Sequence, residues 1–440
     1  MLKNLIANYL GKLWAISSNF IFIPIYIRIL GEESFGLVAF YSTVAMLISV
    51  LNLGLTSAVT RYVAQERINQ NSLDTIKTVE AFLCFLCGLI VLTIYFLAPF
   101  ITKNWITIQE LDFDVVILSV RLMAVIASIE IMFSIYVGAY MALEKQAIAN
   151  FNQFLFSFFK SALVIPTIYF FDSVESFFVW GALASAVILI VVRRVFWQTH
   201  VVEALVKINL NRLYNLKGFA IGMGVIGVLS AINSQLDKIL VSSNFTLTQF
   251  GVYSLASTIS QLPLIASTPI AATVLPRLSL LVKEQKNIHN LYRKFSLLVL
   301  FVSVISSILI SIDPHWLISI WTGSDNIPTG IRELVRYLIL SNLMLSLQLL
   351  PFQVLIAHGF TKVNIVLSTL SLVLLVPLMS YSINYFGMVG AAYPWVLLNC
   401  VILNVMVYMV AKKYLGKRLS NVVVFSIIPT SIYLIFLLFI

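Results

Sequence analysis

The residues of this sequence that could do chemistry are charged side chains inside long apolar stretches. Placing a charge in hydrocarbon costs about 2.5 to 3.5 kcal/mol, so each such residue needs a partner, water or a function. Lys160 lies near the middle of an apolar stretch, and Arg121 and Arg336 lie about two turns and one turn inside the ends of theirs, so snorkelling to the headgroups is harder for these three. Because arginine and lysine bind phosphate through charge-assisted hydrogen bonds, these positions predict a path for an anion.

Four further cations lie near the ends of apolar stretches, and two interpretations stay open for them. Either they extend the anion path, or they snorkel to the headgroups. These four cations are Arg28, Arg61, Lys238 and Arg277. In the first interpretation, a ring of four cations lies near the outer end of a cavity, two cations lie at its inner end and one lies midway. The ring contains Arg28, Arg121, Lys238 and Arg336, the inner pair is Arg61 and Arg277, and the middle cation is Lys160.

Two acids, Glu130 and Asp237, occupy the same apolar stretches. Glu130 follows Arg121 by nine residues, which turns it to the opposite side of a helix, so we do not expect it to neutralise that arginine. Asp237 either neutralises Lys238 or, like Glu130, is a candidate site for a coupling H+ or Na+. The sequence has no metal-ligand cluster, paired-carboxylate motif, phosphate-binding glycine loop or nucleophile triad. We therefore expect neither an enzyme nor a bound cofactor or metal.

The elements that must position these residues are predicted to be transmembrane helices. The hydrophobic fraction is 60% and the mean hydropathy is +0.99, far above a soluble domain. A helix needs about 20 apolar residues to cross the hydrocarbon, and stretches of that length recur along the whole sequence. They predict an all-α integral membrane protein with about twelve helices: 9–30, 37–60, 79–101, 115–140, 148–171, 176–197, 218–241, 250–276, 295–313, 333–356, 364–386 and 388–411. A thirteenth candidate, residues 421–440, ends the sequence.

The basic residues of the short loops predict the orientation. If the N-terminus is cytoplasmic, nearly all loop cations fall on the cytoplasmic side, and the outer side keeps only Arg28, Lys103 and Arg332. The formal net charge of +10 is then a membrane-sorting signal. We do not expect nucleic acid as a partner.

The sequence also repeats itself at a shift near 215 residues. Phe35-Gly36 recurs as Phe250-Gly251, Val120-Arg121 recurs as Val335-Arg336, and Trp180 matches Trp395. This shift maps odd spans on odd spans, so the two halves are parallel repeats, and in such transporters the substrate path lies where the lobes face each other. The predicted domains are two pseudo-symmetric six-helix lobes, 1–200 and 218–411, a cytoplasmic linker at 201–217, and an additional transmembrane or interfacial helix at 421–440.

A resemblance to a known family is carried by the segment from Arg28 to Gln65, which reads RILGEESFGLVAFYSTV and then LNLGLTSAVTRYVAQ after a short gap. It resembles the N-terminal signature of bacterial polysaccharide or O-antigen flippases of the Wzx type, which share a superfamily with MATE multidrug exporters and the lipid II flippase. Three segments of the second half look like later spans of the same family. They are Asp237-Lys238-Ile-Leu, Phe250-Gly251-Val-Tyr253 and Gly387-Met-Val-Gly390-Ala-Ala392.

The resemblance implies a MATE-like fold that moves an undecaprenyl-pyrophosphate-linked oligosaccharide, such as an O-antigen repeat unit, across the bacterial inner (cytoplasmic) membrane by alternating access. The predicted cations would then hold the pyrophosphate. The implied partners are membrane lipids and the polysaccharide polymerase and chain-length machinery. Family members have an even number of spans, so a thirteenth span at 421–440 would be a departure.

Two other functions stay open. A cation-coupled MATE-like exporter of small molecules would use buried acids as its main charges, whereas the membrane charges here are mostly basic. A membrane O-antigen polymerase or glycosyltransferase would need a large outer loop. The longest one here, near residues 313–332, has about twenty residues.

Overall fold

The prediction of an all-helical membrane protein is confirmed by the computed structural model. It describes residues 20–200, 211–323 and 330–414, together with Trp14, Ser17, Ser18, residues 207–209 and Pro328. Within these residues there are no β-strands, and eleven helical segments are long and apolar enough to cross a membrane. A shorter apolar helix, Phe20–Leu30, occupies the described part of the first predicted span. The thirteenth candidate, 421–440, lies outside the described residues.

We number the helices α1 to α16 in chain order. They are α1 Phe20–Leu30, α2 Glu32–Ser49, α3 Leu55–Glu66, α4 Gln70–Trp105, α5 Phe113–Ala142, α6 Gln146–Ser161, α7 Val164–Phe171, α8 Val174–His200, α9 Asn211–Asn244, α10 Leu247–Ser260, α11 Leu262–Lys283, α12 His289–Ser311, α13 Pro314–Thr322, α14 Ile331–Ala357, α15 Thr361–Phe386 and α16 Tyr393–Tyr414. Short 3₁₀ segments lie at Val50–Asn52 and Gly387–Ala391. α9 begins at Asn211, inside the segment that was predicted as a linker.

The second predicted span, 37–60, is not one continuous helix. Leu53 and Gly54 both have a positive φ, 52° and 69°, and they separate α2 from α3. A Cβ on Gly54 would overlap the backbone of α9 at Ala220, so this glycine provides both the turn and a close helix contact.

The fifth predicted span, 148–171, is interrupted between α6 and α7. Pro166 has no N–H, so the carbonyl of Ala162 cannot accept the usual bond from four residues further on and accepts one from the N–H of Ile165 at 3.2 Å instead. The break follows Ser161, and α7 starts again at Val164. As a result, Lys160 lies in the last turn of α6, where a cation is favoured by the helix dipole.

The chain divides into two compact units, Met1–Gly251 and Val252–Ile440. In the first unit, α5 packs against α2, α3, α4, α6 and α8, around a core that includes Val59, Ile76, Leu83 and Ile135. In the second unit, α14 packs against α11, α12 and α16, around Val335, Ile339 and Leu343. The two central helices carry Arg121 and Arg336, the pair that the sequence repeat relates.

Glu33, at the start of α2, fixes one end of the first unit. Its buried carboxylate accepts backbone N–H bonds from Gln109, Glu110 and Leu111, at 2.6, 2.7 and 3.0 Å. The loop that leads into α5 is thereby held on α2 by three charge-assisted hydrogen bonds.

Gly36, one turn further along α2, packs against the start of α10. A Cβ on Gly36 would overlap the carbonyl of Leu247, and a Cβ on Gly251 would lie 3.3 Å from the Cα of Gly36. The two glycines that the repeat relates therefore lie against each other. This close approach requires residues without side chains.

Candidate functional site

The candidate site in the first unit is an ion pair deep in the membrane-spanning region. Lys160 Nζ on α6 lies 2.6 Å from Glu130 Oε1 on α5, and Tyr41 Oη on α2 donates to the same oxygen at 2.8 Å. Glu130 lies twelve residues before the end of α5, which corresponds to about 18 Å from that end. Three helices thus meet at one carboxylate at membrane depth.

Two aromatic rings surround the Lys160 ammonium. Its Nζ lies 5.3 Å from the ring centroid of Tyr41 and 5.9 Å from that of Phe156. Both distances are within the range of a cation–π interaction. The side chains of Lys160 and Glu130 are nevertheless 25% and 30% exposed. A charge that is partly exposed at membrane depth is expected to face a water-filled cavity rather than acyl chains.

The helix break beside Lys160 is stabilised by two polar aromatic residues. Tyr26 Oη donates to the carbonyl of Ser161 at 2.5 Å, and Trp180 Nε1 donates to the carbonyl of Phe159 at 2.9 Å. These are carbonyls of the last turn of α6, which have no helical donors of their own. The position of Lys160 is therefore fixed from α1 and α8 as well.

Arg121 lies on the other side of α5 from Glu130. Its Nε donates to the carbonyl of Tyr95 on α4 at 3.2 Å, and its guanidinium lies 4.0 Å from the centroid of the Tyr95 ring. Glu130, by contrast, contacts α2 and α6. This agrees with the prediction from helical periodicity that the two side chains lie on opposite sides of one helix.

Arg336 makes the equivalent contact in the second unit. Its Nε donates at 3.3 Å to the carbonyl of Ser311, the last residue of α12. Each repeat-related arginine therefore donates to a main-chain carbonyl of the preceding long helix. Such a contact uses one of the five N–H groups of the guanidinium.

The remaining predicted site residues are distributed over both units. In the first unit, Arg28 is exposed near the end of α1, and the guanidinium of Arg61 lies 4.6 Å from the ring centroid of Phe219. Asp237 is buried and Lys238 half-buried on α9. In the second unit, Arg277 is exposed on α11. The structure brings two of the predicted residues, Lys160 and Glu130, into direct contact.

A second charged cluster in the first unit was missed by the sequence analysis. Glu80 on α4 is buried, with Arg193 Nε at 2.5 Å and Lys77 Nζ at 3.3 Å from its carboxylate oxygens. Trp197 lies beside it, 5.5 Å from Lys77 Nζ, and its Nε1 donates to Tyr136 Oη at 3.3 Å. The spacing Lys77-x-x-Glu80 places both residues on one helix face, so this pair could have been predicted from the sequence. The contact with Arg193 on α8 could not, because it depends on how two helices pack.

A buried amide network in the second unit was also missed. Gln348 on α14 donates to both the backbone and the side-chain oxygen of Asn399 on α16, and Asn399 donates to Ser341 Oγ at 2.9 Å. All three residues are buried. Single amides inside apolar stretches gave no sign that they would meet.

Comparison with known proteins gives one family. Residues 1–282 match the family described as polysaccharide biosynthesis protein. A Shigella flexneri protein whose name assigns it to O-antigen transport is 25% identical over 385 residues, which is 86% of this chain and 90% of that protein.

Solved structures of transporters share the fold. An inward-facing MATE-family multidrug resistance transporter of the MOP superfamily aligns with a TM-score of 0.73 and 16% identity, over 92% of this chain and 95% of that one. The lipid II flippase MurJ in an inward closed conformation also gives 0.73, with 13% identity, over 100% and 93% of the two chains. At these identities the likeness establishes the fold and no more.

Proposed function

The chain belongs to the polysaccharide biosynthesis protein family, and on that premise we propose that it is a flippase for a lipid-linked oligosaccharide. The relative named for O-antigen transport and the fold shared with a lipid II flippase support this proposal. The observation that carries it is the partly exposed Lys160–Glu130 pair at membrane depth. A lysine that serves only to neutralise an acid would be expected to be shielded from water together with that acid, since water weakens the attraction between them.

The proposed substrate is an undecaprenyl-pyrophosphate-linked oligosaccharide. Its diphosphate needs cations along the way, because an unpaired anion in a low-dielectric region is strongly disfavoured. Lys160 supplies the middle of the path, and Arg28, Arg61, Lys238, Arg277 and Arg336 are the other cations that we assign to it. Arg121 lies on the opposite side of α5 from the Glu130–Lys160 pair, so it is not part of this path. The polyprenyl tail stays in lipid throughout.

Glu130 gives the site a means of coupling. When the diphosphate approaches, it competes with the Glu130 carboxylate for the Lys160 ammonium. Glu130 is therefore a candidate site for the coupling H+ or Na+. Release of the diphosphate restores the pair. Asp237 on α9 is the second candidate for this role.

The proposal also includes alternating access of the two predicted lobes. A cation-coupled exporter of small molecules is the alternative, because the MATE-family transporter has the same fold. The two functions differ in what fails when Lys160 loses its charge. A flippase loses transport of a diphosphate, whereas an exporter of cationic drugs does not depend on a fixed cation.

The test is genetic complementation in the native host. Deletion is expected to cause lipid-linked repeat units to accumulate in the inner leaflet and surface polysaccharide to be lost. Lys160→Gln is expected to fail to complement, while Lys286→Gln complements fully, since Lys286 is an exposed loop lysine paired with Glu284. Full complementation by Lys160→Gln would remove this residue from the path. A deletion strain without accumulated repeat units but with raised drug sensitivity would favour the exporter.

A further inference from the structure

In the first unit, α4 and α8 each pack along α5 but not along each other, which leaves a groove between them with α5 as its floor. Two contacts fix which faces of the helices line it. At one end Glu80 of α4 meets Arg193 of α8, and at the other end Tyr95 of α4 meets Arg121 of α5. The residues at helical spacing between these contacts must face the groove.

The α4 wall of this groove contains two small residues. On α4, Cys84 and Gly88 lie between Glu80 and Tyr95 at helical spacing, both are exposed, and a Cβ on Gly88 would meet nothing within 4 Å. On α8, Ala186 and Leu189 lead to Arg193 at the same spacing. The exposure of Cys84 and the empty space beside Gly88 leave the groove open on the α4 side.

The floor is apolar and half-buried. Ile129 and Met132 of α5 lie between Arg121 and Tyr136, and they pack against the core with part of their surface open. Arg121 and Tyr136 are fifteen residues apart, which corresponds to about 22 Å along the helix. Since the hydrocarbon is about 30 Å thick, the groove extends past the bilayer midplane.

The surface beside the groove faces lipid. The next exposed residues on α4 include Phe85 and Phe96, both 71% exposed, and those on α8 include Leu183 and Ile190, 58% and 62% exposed. Large apolar side chains exposed along spanning helices contact acyl chains. Arg121, at one end of the groove, lies on the opposite side of α5 from Glu130. The groove is therefore separate from the Glu130–Lys160 pair.

One end of the groove is cationic. Lys77 and Arg193 share the single carboxylate of Glu80, which leaves a net charge of about +1, and the Arg193 side chain is 45% exposed. Trp197 lies beside both, as tryptophan does at membrane interfaces. This end can donate charge-assisted hydrogen bonds to a phosphate.

We infer that the groove binds one anionic phospholipid, with its phosphate at Arg193 and Lys77 and one acyl chain along Gly88, Ile129 and Met132. Charge complementarity at one end and an apolar floor of matching length select this occupant. The inference does not depend on which substrate the protein transports. The bound lipid would bridge α4 and α8 next to the Glu80–Arg193 and Lys77–Trp197 contacts.

The inference is tested by native mass spectrometry of the full-length protein in micelles doped with phosphatidylglycerol or phosphatidylcholine. Arg193→Gln is expected to reduce the phosphatidylglycerol adduct by roughly tenfold, the loss of one charge-assisted hydrogen bond. Glu80→Gln is expected to increase it, because it removes the competing carboxylate. Arg194→Gln is the matched control, since it removes a neighbouring cation outside the Glu80 cluster.

The apolar part of the site is tested separately. Gly88→Trp is expected to lower phosphatidylglycerol binding with all charges intact, whereas Leu89→Trp, on the lipid face one residue further, leaves it unchanged. If Arg193→Gln fails to fold, the double variant Glu80→Gln with Arg193→Gln replaces it and should also lose the adduct. Equal losses in Arg193→Gln and Arg194→Gln, unchanged binding in Gly88→Trp, or complete displacement by inorganic phosphate would each overturn the inference.

Discussion

Arg121 donates its Nε–H to the carbonyl oxygen of Tyr95, and that oxygen is available because Pro99 lies four residues further along α4. Proline has no N–H, so the carbonyl of Tyr95 has no helical donor. Arg336 reaches the carbonyl of Ser311 at the end of α12 in the same way. The two repeat-related arginines thus stabilise irregular points of neighbouring helices, whatever part their other N–H groups take in transport.

The contact with Tyr95 leads to a prediction about coupling between two positions. Arg121→Gln is expected to lower the free energy of unfolding by about 1 kcal/mol, because it leaves a membrane-embedded carbonyl with a weaker donor. Pro99→Ala restores an N–H four residues after Tyr95. In that background Arg121→Gln should cost less, and thermal unfolding of the four proteins in one detergent measures the difference. Additive effects would show that Arg121 is not needed for this carbonyl.

A second prediction concerns the ion pair. Lys160→Gln leaves Glu130 without its cation and Glu130→Gln leaves Lys160 without its anion, so each is expected to destabilise the protein by a few kcal/mol at most. The double variant removes both charges and should regain most of this stability. It should still fail to transport, because the cation is absent. Thermal unfolding and surface polysaccharide are measured on the same three variants.

Transport by the double variant would contradict the role that we propose for Lys160. A conservative control is Tyr41→Phe, which removes one hydrogen bond to Glu130 and keeps the ring near Lys160. It is expected to lower stability by about 1 kcal/mol and to keep transport. If it abolished transport, the Tyr41 hydroxyl would itself belong to the path.

A third prediction concerns the close contact between α2 and the start of α10. Gly36→Ala places a methyl group onto the carbonyl of Leu247, which cannot move without shifting α10. We expect a large loss of folded protein, whereas Gly227→Ala on α9, where nothing lies within 4 Å, should be neutral or stabilising. Yield and thermal unfolding compare the two. Equal behaviour of both variants would mean that the contact is not required.

The helices were predictable from the sequence because lipid imposes a minimum length on each apolar stretch. The stretches at 115–140 and 333–356 correspond to α5 and α14 with small shifts of their ends. The break at Leu53–Gly54 was not predicted from the sequence, because a glycine is also frequent inside continuous membrane helices. Its cause is the approach of α9, which is a tertiary contact.

The candidate site was less predictable. Helical periodicity correctly separated Glu130 from Arg121, because that separation depends on one helix alone. The pairing of Glu130 with Lys160 depends on how α5 packs on α6, and no local pattern encodes it. The same holds for Arg193, because its approach to Glu80 depends on how α8 packs relative to α4.

The last prediction concerns the three hydrogen bonds between the Glu33 carboxylate and the loop before α5. Glu33→Gln keeps the shape of the side chain but replaces a carboxylate that accepts three backbone N–H bonds by an amide with a single oxygen and no charge. The amides of Gln109, Glu110 and Leu111 should then exchange with solvent roughly ten to a hundred times faster, as expected when charge-assisted hydrogen bonds are weakened. Hydrogen–deuterium exchange of the peptide that covers residues 106–112 measures this directly. Glu110→Gln, an exposed acid in the same loop, serves as the control and should leave the exchange unchanged. Because these hydrogen bonds join α2 to the loop that precedes α5, faster exchange should also be seen at the first turn of α5. If exchange stayed slow in Glu33→Gln, the prediction would be wrong. The loop would then be held by its other contacts, such as the hydrogen bond from the N–H of Leu247 to the carbonyl of Thr107.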